Sequence, residues 1–180
     1  MRLDPEGWIE GIRHVVSPNC DDRPPRESIT LLVLHSISLP PREYGGDAVE
    51  RFFGNRLDPT EHPYYRELAG LKVSAHFFVR RSGEVIQFVS VWRRAWHAGK
   101  SCWRGRERCN DFSVGVELEG SDDSPFVAPQ YERLYTLQRC LRAAMPLRDV
   151  AAHSDIAPQR KTDPGTGFDW HLSLRQLAFS

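Results

Sequence analysis

Six consecutive residues, Ile29-Thr30-Leu31-Leu32-Val33-Leu34, restrict the fold more than any other segment. They are aliphatic or β-branched throughout, and proline pairs lie on either side, Pro24-Pro25 upstream and Pro40-Pro41 downstream. A run this short favours a strand over a helix, and a run with no polar side favours burial on both faces. A strand buried twice needs a covering layer above and below its sheet. The run ends in His35, and side chains at a strand end are held rigidly and face clefts.

The rest of the chain supplies those layers. Residues 17–28 are rich in Pro, Asp and Asn and read as a surface loop. From Ser38 to Tyr65, Pro40, Pro41, Gly45, Gly46, Pro59 and Pro63 enforce irregular chain, apart from a short helix over Asp47–Phe53 capped by Asp47. Loops this long inside a compact domain are often functional. Val73–Arg80 and Glu84–Val89, joined through Ser82-Gly83, form a hairpin. Arg94–Asp111 is polar loop, and Phe112–Leu118 alternates as a strand. Pro129–Ala144 places Tyr131, Leu134, Leu137, Leu141 and Ala144 at helical spacing, with Pro129 in the first turn. A short strand over Val150–His153 and a helix over Ser173–Phe179 complete the chain. This order predicts an α/β fold: a mixed central β-sheet flanked by α-helices, in a single domain over 1–180 with its core at about 29–170 and long loops around the site.

Charge and hydropathy exclude some partners. Lys plus Arg and Asp plus Glu number 24 each, so the basic excess of a nucleic-acid binder is missing and no such partner is expected. The start, Met1 to Trp8, is acidic and contains Pro5, without the apolar stretch of a secretory signal. No run approaches the roughly 18 apolar residues of a membrane span. A cytoplasmic monomer with no membrane partner is expected. Cys20, Cys102, Cys109 and Cys140 form no CxxC pair and are expected to be reduced thiols.

Three stations carry potential chemistry: His35, His153 before a turn-forming stretch, and Asp163 in Lys161-Thr162-Asp163-Pro164-Gly165. Two His and one carboxylate are a common catalytic zinc set, with a fourth position open to water. His153 and Asp163 are separated by Pro158, so separate loops must assemble the site. The spacing alone leaves a second reading, in which Asp163 is a turn residue and the histidines bind nothing. Glu117 interrupts an apolar strand; it is either a general base beside a metal or a solvent-facing residue of an edge strand. Lys161 is either an oxyanion stabiliser or an ordinary surface lysine. Trp96-His97 is either a sugar platform or a loop anchor, and His76 reads as a hydrogen-bonded core histidine.

The stretches Leu34–Pro41, Val73–His76, Arg94–Gly99, Gly105–Ser113, Gly115–Gly120 and His153–Gly165, taken in order, resemble the type 2 N-acetylmuramoyl-L-alanine amidase and peptidoglycan-recognition superfamily. Within it they look like the amidases that act on 1,6-anhydro-N-acetylmuramyl peptides. The resemblance implies one zinc ion on His35, His153 and Asp163. It implies that Glu117 activates or orients the attacking water and that Lys161 stabilises the tetrahedral intermediate. It further implies a small muropeptide substrate, cut at the amide between the lactyl group and L-alanine during cell-wall recycling. Ser36 stands where the family has Asn, and Lys72 where Arg is common; both are expected to touch substrate, together with Trp96, His97 and Arg108. Some relatives bind peptidoglycan fragments without cutting them after losing a ligand, and the complete ligand set here favours an enzyme.

Overall fold

The protein is described by a computed structural model covering residues 1–175. Its elements run β1 (Arg13–His14), β2 (Cys20–Asp22), β3 (Leu31–Ile37), α1 (Ala48–Phe53), α2 (Pro63–Glu67), β4 (Phe77–Val79) and β5 (Val85–Gln87). They continue with β6 (Arg93–Ala95), β7 (Cys102–Trp103), β8 (Arg106–Glu107), a 3-10 turn at Cys109–Asp111 and β9 (Ser113–Glu119). The last are α3 (Ala128–Ala144), β10 (Asp149–Ala152), α4 (His153–Ile156) and α5 (Trp170–Arg175). The main sheet has the order β1-β5-β4-β9-β3-β10. Only the β4–β5 hairpin is antiparallel; every other neighbouring pair in it is parallel.

β3 lies between β9 and β10, and Leu31 through His35 are all buried. Its alternation divides two layers. Leu32 and Leu34, with Val114, Val116 and Leu118 of β9, pack under Leu134, Leu137 and Leu141 of α3. Leu31 and Val33 face the other way, onto Phe112, Ala151 and Ile156. A period of two therefore puts His35 on the second face, and the β9 register pairs it with Glu117. A third cluster packs Phe52 and Phe53 of α1 against Phe78, Ile86 and Phe88 beside the hairpin.

The mixed sheet with flanking helices agrees with the expected fold class, and the long helix carries Pro129 in its first turn. Several local expectations change. The loop over residues 17–28 contains β2, which pairs with β6 through Asp21 opposite Arg94. Both guanidinium nitrogens of Arg94 on that side donate to the Asp21 carboxylate, at 2.7 and 2.6 Å. A strand held by a cross-strand ion pair carries no apolar pattern to read. The loop over Arg94–Asp111 likewise holds β7 and β8, and the irregular stretch before Tyr65 runs into α2, capped by His62 Nδ1 accepting from Tyr64 N–H at 3.1 Å. Asp47 precedes α1, but its carboxylate accepts from Arg51 Nε at 3.0 Å and makes no cap bond. Ala144 is exposed at the helix end. The closing helix begins earlier, at Trp170, and residues 176–179 of the expected one lie outside those described. All four cysteines are free.

His76 is fully buried beside β4. Its Nδ1 accepts from the Gly115 N–H at 3.0 Å, so the ring proton sits on Nε2 and donates to the Arg93 carbonyl at 3.1 Å. Burial, reinforced by the neighbouring Arg23 cation, lowers its pKa to about 3. An unfolded chain protonates this imidazole near pH 6.5, whereas the folded one resists down to about 3. The depressed value means a stability contribution present above pH 6.5 that drains away as pH falls through that window. Urea unfolding across pH 7 to 3.5 should show this decline, with a shallower slope in His76→Gln; equal slopes would remove His76 as a source.

Candidate active site and metal centre

The parallel pairing of β10 with β3, Ala152 opposite Leu34, delivers His153 next to His35. His153 opens α4, and the chain then turns through residues 157–160 to return Asp163. That return is tied by the Ser154 N–H donating to the Asp163 carbonyl at 3.0 Å. The two histidine Nδ1 atoms stand 2.9 Å apart, and Asp163 Oδ2 is 3.1 Å from each. His35 and His153 are 1% and 3% exposed, so their placement is fixed by packing.

These three atoms fit a metal. Tetrahedral zinc with bonds near 2.0–2.1 Å sets its ligand atoms about 3.3 Å apart, close to the spacing seen. Burial lowers the pKa of His35 to about 4, against the opposing pull of Asp163. Burial of Asp163 works toward protonation, but hydrogen bonds with His153 and His35 hold its carboxyl well below the usual range. At neutral pH His35 therefore offers a lone pair and Asp163 a negative charge, the forms that ligation requires. Two nitrogens and one carboxylate leave a fourth position open.

A cleft of about 670 Å³ opens over the set, and Glu117, Lys161, Ser36 and Trp96 line it. Glu117 comes from β9 directly opposite His35. Its Oε2 is buried and has no hydrogen-bond partner among the described residues. Burial, then the Asp163 carboxylate, raises its pKa well above the ordinary value, with Lys161 opposing. A buried carboxyl with a raised pKa, next to a cluster of ligand atoms, is a candidate for proton transfer.

Other residues selected from the sequence fall elsewhere. His97 reaches the cleft wall, but both ring nitrogens face inward: Nδ1 lies 2.9 Å from His35 Nε2, and Nε2 lies 3.1 Å from Ser113 Oγ. Lys72 is exposed beside a neighbouring hollow lined by Asn55, Leu57 and Ala69. Arg108 begins the 3-10 turn in a left-handed conformation, φ 61°, and pairs with Asp111 at 3.1 Å outside the main cleft. The structure adds Asp122, whose carboxylate accepts from Ser36 Oγ at 3.3 Å and from Thr162. The only signal for it was a polar turn, Ser121-Asp122-Asp123-Ser124, after the strand that carries Glu117.

The N-acetylmuramoyl-L-alanine amidase family profile matches residues 25–166. The 1,6-anhydro-N-acetylmuramyl-L-alanine amidase AmpD of Enterobacter cloacae is 51% identical over 166 residues, covering 91% of this chain and 89% of that protein. A crystal structure of a selenomethionine AmpD derivative superposes with a TM-score of 0.95 at 47% identity, over 98% of this chain and 99% of that one. The Escherichia coli amidase AmiD, solved with anhydro-N-acetylmuramic acid-L-Ala-D-γ-Glu-L-Lys, gives a TM-score of 0.61 at 29% identity. That match covers 97% of this chain and 65% of AmiD.

Proposed function

This chain belongs to the N-acetylmuramoyl-L-alanine amidase family, and from that premise we propose that it hydrolyses anhydromuropeptides with one zinc ion on His35, His153 and Asp163. The scissile bond is the amide between the lactyl group of anhydro-N-acetylmuramic acid and L-alanine. The observation that carries this reading is the convergence of three ligand atoms, 2.9–3.1 Å apart, beneath a cleft that also holds Glu117 and Lys161. The substrate bound to AmiD supports the choice of a small muropeptide.

Zinc bound to this set supplies Lewis acidity, which makes water nucleophilic near neutral pH and polarises a carbonyl. The remaining work falls to the protein. Glu117 takes the proton of the attacking water, since its raised pKa gives the proton a stable place in the folded site. The Lys161 ammonium, on the cleft wall, lies where it offsets negative charge developing on the carbonyl oxygen. Glu117 then returns the proton to the departing L-alanine nitrogen. Trp96 and Ser36 line the same cleft and contact the substrate. The protein acts as a monomer in the cytoplasm on recycled wall fragments. Among the described residues no helix is long and apolar enough to cross a membrane.

The test is product analysis. Zinc-loaded protein incubated with an anhydromuropeptide should release anhydromuramic acid and a peptide with a new L-alanine amine, seen by mass spectrometry. Chelator-stripped protein should release neither until zinc is restored. A cut elsewhere in the substrate, or full activity after stripping, overturns the reading. Light scattering and cell fractionation check the monomer and the compartment.

A further inference from the structure

We propose that His97 is a positioning residue of the candidate metal centre: it accepts the Nε2 proton of His35 and so keeps the His35 Nδ1 lone pair aimed at the ion. This rests on reading His35, His153 and Asp163 as the metal set.

A neutral imidazole has one N–H and one lone pair. If Nδ1 ligates, the proton of His35 must lie on Nε2, and a buried N–H needs an acceptor. His97 Nδ1, at 2.9 Å, is the hydrogen-bond partner of His35 Nε2 among the described residues. Acceptance there places the His97 proton on Nε2, which donates to Ser113 Oγ at 3.1 Å. One ordered arrangement thus runs from the ligand atom to β9. Both nitrogens of His97 are used within it.

Two further observations give His97 a built seat. Gly115 lies in the middle of β9, where a glycine weakens a strand and marks a close approach. A Cβ on Gly115 would meet His97 Cγ at 2.5 Å, so the imidazole occupies the space a side chain would fill. The loop carrying His97 is itself clamped. Asn110 Oδ1 accepts from the N–H groups of His97 and Ala98, at 3.2 and 2.8 Å. Arg160 donates to the carbonyls of Ala98 and Lys100, at 2.8 and 3.0 Å. The same loop serves the second ligand, because the Ala98 carbonyl lies 3.3 Å from His153 Nε2. The loop thus stands behind both metal-facing imidazoles, through His97 at His35 and the Ala98 carbonyl at His153.

Zinc affinity by chelator competition tests this, using His97→Leu and His97→Asn. Leu fills space without an acceptor, whereas Asn Oδ1 stands near the position of the lost Nδ1. Leu should weaken zinc by about 10–100-fold, the usual effect of removing an outer partner of a ligand. Asn should recover most of that loss. Equal affinity in wild type and His97→Leu overturns the positioning role while leaving the metal site intact. A raised KM with unchanged zinc affinity also overturns it, in favour of substrate contact. Long-range proton–nitrogen NMR of zinc-loaded wild type needs no variant to fold: His35 should carry its proton on Nε2. A His35 protonated on Nδ1 overturns the proposal, and a wild type that takes up no zinc overturns it together with the metal assignment.

Discussion

Asp163→Ala should lose both zinc and hydrolysis while keeping its fold. The Asp163 side chain supplies the single negative charge among three converging ligand atoms, so its removal leaves two neutral donors for a divalent ion. Zinc affinity should fall by at least about 100-fold, beyond the range for outer-shell losses. Removing Lewis acidity worth several kcal/mol should cost on the order of 1000-fold or more in turnover at limiting zinc. The fold should survive, because the loop is tied to Ser154 by the Asp163 main-chain carbonyl, not by its carboxylate. Metal analysis, circular dichroism and turnover on one preparation check all three. Undiminished turnover would remove Asp163 from the ligand set.

Glu117→Gln should separate binding from chemistry. Gln keeps the shape and reaches the same space, so zinc content should equal that of wild type. An amide cannot take and return a proton, and turnover should drop by at least about 100-fold. Stability should move the opposite way. A buried Oε2 without a partner, in a carboxyl whose pKa is raised well above its ordinary value, means that the folded state resists ionisation. As pH rises past the unfolded value near 4.5, the unfolded chain releases this proton before the folded chain does, so stability is lost. Gln removes that cost. Metal-free Glu117→Gln should therefore melt above metal-free wild type at pH 7 and match it near pH 4. A lower melting temperature at pH 7 would mean that Glu117 stabilises the fold and was kept for that reason. Sites built for chemistry commonly trade stability in this way.

Legibility followed the range of the forces involved. The apolar run of β3, the alternation of β9 and the 3.6-residue spacing of α3 are local patterns; β9 and α3 appeared within one residue of their expected ends, and β3 begins two residues later and ends three residues later than its apolar run. The strands β1, β2, β6, β7 and β8 are only two or three residues long. Partners elsewhere in the chain hold them, as Arg94 holds Asp21, and no periodicity announces them. His35, Glu117, His153 and Asp163 were candidates from their residue types and neighbours. Lys72 and Arg108, chosen by family resemblance, stand outside the main cleft.

The long periodic segments, β3, β9 and α3, were legible as strand or helix from the residues alone, with their apolar faces, because side-chain period and hydrophobicity act between neighbours. The sequence also placed the chain near a family through long ordered motifs. The pairing of β10 with β3 came from the folded chain, and it sets Nδ1 of His35 2.9 Å from that of His153 across 118 residues of sequence. The fold also turns His97 inward over Gly115 instead of outward to solvent. Strand order and loop return are fixed by contacts between distant segments, and such contacts leave no local pattern in either segment alone.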